Sequence, residues 1–208
     1  MLNFPSKTVV GRIMPKEAFY KRLTLSSQIR DKFVSDIKRI VIEYKLSADT
    51  LNLEREGETS EILVLSIELK KQSIDNRIIE NIARQNANKL LFFIKYEEQG
   101  QLAVYYGKLY KTNWKLLSDI TLKAKGNNLD TIWEGFIAQI ALQDDVVPNN
   151  NTFSIAEKMK KQDEILKLLK EIDNLERRSR NEIQPKKRFE LYTRLQGLKK
   201  ILAEEKGE

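Results

Sequence analysis

One triplet in this sequence, Glu68-Leu69-Lys70, has the residue types and spacing for metal-assisted phosphate chemistry. Alternate side chains of an extended strand share a face, so Glu68 and Lys70 stand together while Leu69 points the other way. A carboxylate holds a hard cation such as Mg²⁺ through oxygen and lets the ion polarise a phosphate. The set needs an upstream acid. Asp49 is the first choice and Glu43 the second, which makes Asp49, Glu68 and Lys70 the catalytic candidates, with Asp49 and Glu68 as metal ligands. The competing reading is plain surface charge. Charged residues commonly mark the solvent end of a strand, and Glu43-Tyr44-Lys45 repeats the same pattern in the same chain.

The residues the chain lacks restrict the chemistry further. With no His and no Cys there is no thiolate nucleophile, no Ser-His relay, no imidazole acid or base and no Cys/His zinc site. No cofactor is required by what remains, and Mg²⁺ enters only with the carboxylate-lysine reading. The absence of Cys also agrees with a reducing compartment.

A second constellation suits phosphate without catalysis. Arg177, Arg178, Arg180, Lys186, Lys187 and Arg188 fall within twelve residues that contain one acid, Glu182. Such a knot would neutralise phosphates independently of base sequence. The stretch offers no interleaved aromatics, so stacking on single-stranded bases is the less favoured use. A solvated helix turn is the bland alternative.

The elements that must position these residues follow from periodicity. Pro15 to Leu23 reads as a short helix, and Ser27 as the N-cap of another running to about Lys38. Alternation from Ile40 to Leu46 predicts a strand, and the apolar run Ile62 to Leu69 predicts a central one. Ser73 would cap a helix carrying Ile74, Ile78, Ile79 and Ile82, followed by a strand over Leu90 to Tyr96, which together suggest a βαβ unit. A turn over Glu97 to Gln101, containing Gly100, leads into Leu102 to Tyr106. A helix from about Leu129 to Leu142 closes the body, with Trp133 and Phe136 as core and Trp114 as the more exposed tryptophan.

The expected organisation is an α/β body over 1–143, a linker over 144–151 and a basic helical hairpin or coiled-coil arm over 152–208. Ser154 and Glu157 form a capping box that opens the arm, Pro185 interrupts it, and Leu191, Leu195, Leu198 and Leu202 give its second helix an apolar seam. The charge is uneven: the formal net charge is +7, and 15 basic against 11 acidic residues in 151–208 supply +4 of it. That balance permits a polyanionic partner. No stretch approaches the ~20 apolar residues of a membrane span, and the first ten residues lack the pattern of a secretion signal. The expected location is cytoplasmic, with no membrane partner.

Several stretches together resemble a bacterial family catalogued as domain of unknown function 4391. They are Asn3-Phe4-Pro5, Tyr44-Lys45-Leu46-Ser47 with Thr50-Leu51, and Glu61-Ile62 leading to Ile67-Glu68-Leu69-Lys70. Tyr110-Lys111-Thr112-Asn113-Trp114, Asn128-Leu129-Asp130 before Ile132-Trp133-Glu134, and the basic tail with Phe189-Glu190-Leu191 continue the series. The resemblance implies a setting beside helicases and DNA methyltransferases in restriction and phage-defence loci. It carries no catalytic residues. The order of elements around Glu68-Leu69-Lys70 separately resembles that of the restriction-endonuclease-like nucleases, which implies that Glu68 and the upstream acid hold Mg²⁺ and that Lys70 positions or activates the attacking water.

The sequence therefore predicts a small mixed sheet with flanking helices plus a two-helix arm. Its leading function is that of an accessory protein of a restriction or anti-phage defence system, binding a helicase or DNA methyltransferase subunit, DNA, or both. A Mg²⁺-dependent nuclease is the alternative, and an oligomerisation module pairing copies through the arm is the third.

Overall fold

The apolar run from Ile62 to Leu69, broken only by Ser66 and Glu68, puts large aliphatic side chains on both faces of this segment, so it must be covered on both sides. In the computed structural model, which describes residues 2–143, 146 and 153–206, it forms β3 (Glu61–Leu69) in the middle of a seven-stranded sheet. The preceding strands are β1 (Val9–Met14) and β2 (Ile37–Ser47), and the following ones are β4 (Lys89–Tyr96), β5 (Gln99–Tyr106) and β6 (Lys108–Lys111). The spatial order is β1-β2-β3-β4-β5-β6, with the short β7 (Lys115–Leu116) pairing β5. Only β3 and β4 run parallel. Their crossover contains α4 (Asn76–Arg84), so the expected βαβ unit is present.

The two faces of the sheet are filled differently. On one, Phe33, Ile40, Leu65, Ile67, Ile78, Ile79, Ile82 and Phe92 form a continuous core, built by α2 (Ser27–Asp36) and α4 against the strands. Phe33, Ile78, Ile79 and Phe92 have no solvent exposure. Another aromatic group joins Phe4, Tyr44 and Phe136, with Phe4 5.2 Å from Tyr44 and 5.8 Å from Phe136 between ring centroids. Phe136 lies on α5 (Leu129–Ala141), whose apolar stripe also buries Trp133.

Local chemistry moves several boundaries from their sequence positions. Ser26, not Ser27, caps α2 by accepting the Ile29 N–H at 3.4 Å, and the helix gives way to β2 at Ile37, two residues before the expected end. Asp75, not Ser73, caps α4 by accepting the Arg77 N–H at 3.1 Å, leaving Ile74 buried ahead of the helix. Tyr96 pairs directly with Gln99, so the hairpin turn shortens to Glu97 and Glu98, with Glu97 left-handed at φ 49°. Gly100 stands inside β5. A Cβ there would lie 2.8 Å from Phe93 and 2.9 Å from Leu117 and Ile120, so close packing, not turning, requires the glycine. The short helices are α1 (Lys16–Arg22) and α3 (Ala48–Leu51).

Contacts divide the chain into one unit over 1–141 and a second over 142–208. The second contains α6 (Ile155–Asn181), opened by the Ser154/Glu157 capping box, and α7 (Pro185–Lys206), with Pro185 at its first position. They fold back on each other: Ile172, Leu175 and Leu195 are buried together with Leu191, Leu198 and Leu202 packed around them. Ion pairs Arg194–Glu171 at 2.6 Å and Lys199–Glu176 at 2.7 Å cross between the helices. Most of the linker expected over 144–151 lies outside the described residues. Val146 is described and is buried with Ile165, Leu166, Leu169 and Leu202. No described helix is long and apolar enough to cross a membrane.

Candidate functional site

Glu68 is the last residue but one of β3 and Lys70 directly follows the strand, with Leu69 buried between them. The antiparallel register sets Arg39 opposite Glu68 and Ile37 opposite Leu69. This brings the start of β2 over the pair. Lys38 Nζ donates to Glu68 Oε1 at 2.6 Å, and the Arg39 guanidinium forms an ion pair with Oε2 at 2.8 Å. The bond from Lys38, with the neighbouring Arg39, holds the Glu68 carboxyl below its usual range against the opposing effect of burial. Lys70 Nζ donates to the Val34 carbonyl at 3.1 Å, and its backbone N–H to that of Asp36 at 2.9 Å. Lys95 lies 4.3 Å from the Phe93 ring centroid and is bonded to Glu43. Lys38, Arg39, Glu68, Lys70, Lys95 and Glu97 line an open cleft of about 530 Å³.

Asp49 is not part of it. It sits on α3 just after β2 ends, where Ser47 is opposite Glu61 at the beginning of β3. From Glu61 to Glu68 the strand covers roughly 23 Å at ~3.3 Å per residue. Asp49 is instead paired with Arg55 at 2.8 Å, both side chains being more than 70% exposed. The alternative acid, Glu43, is engaged by Lys95. The acid that the hairpin carries to the Glu68-Lys70 end is Asp36, which immediately precedes β2. Asp36 is 4% exposed, accepts from Ser35 Oγ at 2.8 Å and pairs with Lys71 at 3.0 Å. The signal was available, because in an antiparallel pair the end of one strand meets the start of the other. Among the described residues no three acids are grouped closely enough to hold a metal ion. Both oxygens of Glu68 are taken by cations, so a divalent ion there would have to displace Lys38 and Arg39.

The basic knot lies where α6 turns into α7. Arg177, Arg178, Arg180, Lys186, Lys187 and Arg188 are all exposed. Arg177 pairs with Asp173 at 2.8 Å and Arg180 with Glu176 at 3.7 Å, one helical turn back. Among the described residues Arg178, Lys186, Lys187 and Arg188 form no ion pair. Glu182, the lone acid of the segment, accepts the Gln184 N–H at 2.9 Å and shapes the turn. The turn also exposes apolar side chains: Ile183 inside the knot and Phe189 and Tyr192 just after it are 92%, 70% and 52% exposed. With Arg180 and Arg188 they border a second cleft of about 530 Å³.

The family model described as a domain of unknown function, DUF4391, matches residues 2–202. The chain belongs to this family. No curated protein and no solved structure matches it. In this DUF4391 chain the stretches that carry the resemblance have structural roles. Tyr44 donates its hydroxyl to the Leu2 carbonyl at 2.9 Å, and burial raises its phenol above the ordinary range. Ser47 and Thr50 cap α3 reciprocally. Thr112 accepts the Leu102 N–H at 3.0 Å. Trp114 packs half-buried against the main core, so it is less exposed than its polar neighbours imply. Asn128 caps α5 by accepting the Thr131 N–H at 2.9 Å, and Asp130 accepts the backbone N–H groups of Glu58 and Thr59 at 2.8 and 3.0 Å. The Thr59 side chain first, and then those backbone bonds, hold the Asp130 carboxyl below its usual range.

Proposed function

We propose that this protein is a non-enzymatic nucleic-acid-binding accessory protein, working beside a helicase or DNA methyltransferase subunit in a bacterial restriction or anti-phage defence system. One observation carries the binding half: the exposed cations at the α6–α7 turn, four of which form no ion pair among the described residues. Cations without internal partners are the ones free to displace counterions from phosphate. The family resemblance supplies the setting. Replacing Arg178, Lys186, Lys187 and Arg188 with Gln is expected to weaken binding to all sequences alike, and to flatten the salt slope by about 0.9 for each duplex phosphate no longer neutralised. Fluorescence anisotropy with labelled DNA across a salt series measures both. An unchanged affinity and slope would remove the knot from the function.

A second reading, a Mg²⁺-dependent nuclease, is favoured by the β2–β3 register, which carries Asp36 to the end of the sheet occupied by Glu68 and Lys70. In it Asp36 takes the place given to Asp49, Asp36 and Glu68 would hold the ion, and the ion would polarise the phosphate.

A further inference from the structure

We infer that the hairpin tip is a stacking platform for single-stranded nucleic acid, with Phe189 and Tyr192 taking bases and the surrounding cations taking phosphates. This rests on the nucleic-acid reading above and specifies the class of strand. Phe189 and Tyr192 are three residues apart on α7, so they rise from one face about a turn from each other. Neither ring is used to build the hairpin: its seam is made by Leu191, Leu195, Leu198 and Leu202 against Ile172 and Leu175, while the two rings stand 70% and 52% exposed. Ile183, in the connection between the helices, adds a third apolar side chain at 92% exposure.

Large apolar groups held together in solvent mark a surface that something else covers. The charge around them selects the partner. Residues 177–188 hold six cations and one carboxylate, and the wall of the cleft between the rings contains Arg180 and Arg188. A polyanion is drawn to such a surface. An aromatic face beside it adds nothing for a duplex, whose bases are stacked internally. A single strand offers both phosphates and free base faces, and stacking on aromatic side chains tolerates any base.

The test uses the full-length protein with a fluorescein-labelled oligothymidylate and a labelled duplex of equal length, at one salt concentration. The single strand is expected to bind more tightly. Phe189→Ala and Tyr192→Ala are each expected to weaken it roughly five- to a hundredfold, leaving duplex affinity within about twofold. Tyr192→Phe keeps the ring and is expected to bind as the parent does. Because both side chains are exposed, circular dichroism should show unchanged helix in every variant, which separates loss of stacking from loss of fold. Equal affinity for the two strands, insensitive to both alanine substitutions, would overturn the stacking platform while leaving phosphate binding intact. Failure to bind either strand at low salt would overturn both.

Discussion

The sheet cleft and the hairpin tip are both rich in cations, yet they use them in opposite ways. In the cleft Lys38 and Arg39 close on Glu68, Lys95 is bonded to Glu43, and Lys70 reaches a backbone carbonyl. Each positive group has a partner supplied by a neighbouring strand or helix. At the tip, among the described residues, the helix turn offers acids only to Arg177 and Arg180, and the remaining four cations project from a surface that also exposes Phe189 and Tyr192. Four cations line the cleft and six surround the tip. What separates them is how many acids the fold brings within reach, because a paired cation has already spent much of its attraction.

The largest effect that could overturn this contrast is cleavage. Incubated with plasmid and single-stranded DNA in Mg²⁺ or Mn²⁺, the purified protein is expected to leave both intact. If it cuts, the cleft is an active site after all, and Glu68→Gln or Asp36→Asn should each lower the rate about a hundred- to a thousandfold. Asp49→Asn should leave that rate unchanged, since Asp49 lies at the opposite end of β2 and β3. Sensitivity to Asp49 would refute the geometric argument for Asp36.

A smaller effect sharpens the division of labour. A chain ending at Gln143 removes the tip but keeps the sheet with its own core, so it is expected to show a cooperative thermal transition and at least a tenfold loss of nucleic-acid affinity. Undiminished binding would place the nucleic-acid surface in the body. A broad transition would show that residues after 143 complete the core.

Much of this organisation was legible in the residues. The apolar run of β3, the periodicity of α5 and the Ser154/Glu157 box are local signals, and local physics decides them. β1 escaped because it is an edge strand whose residues are mostly exposed, so it has no buried stripe to betray it. The misplaced upstream acid has a different origin. Asp49 and Glu68 are nearer in sequence than Asp36 and Glu68, but an antiparallel turn reverses that ranking in space. Phe189 and Tyr192 likewise follow the knot in sequence, and they share a cleft with Arg180 only because the chain turns back into α7.

The smallest effect compares one charge cluster in the body with one in the arm. Asp75 caps α4, is bonded by Arg77 through both carboxylate oxygens, and reaches Lys32 on α2 at 2.7 Å; its side chain is only 13% exposed. The bonds from Arg77, then Lys32, hold its carboxyl far below the ordinary value. A carboxyl whose folded pKa is depressed contributes stability that is present above its unfolded pKa of ~3.9 and is lost as pH falls toward the folded value. Asp75→Asn keeps a capping oxygen and removes the charge, so it is expected to cost on the order of 0.5–1 kcal/mol at pH 7, because both cations are substantially exposed. That difference should shrink at pH 3. Asp173→Asn, which breaks the Arg177 pair on the arm with side chains 58% and 75% exposed, is expected to be near neutral at either pH. Urea unfolding at both pH values measures the four differences. A cost for Asp75→Asn that does not change with pH would mean that the substitution disturbs packing at the helix start, and the electrostatic account of the cap would fail.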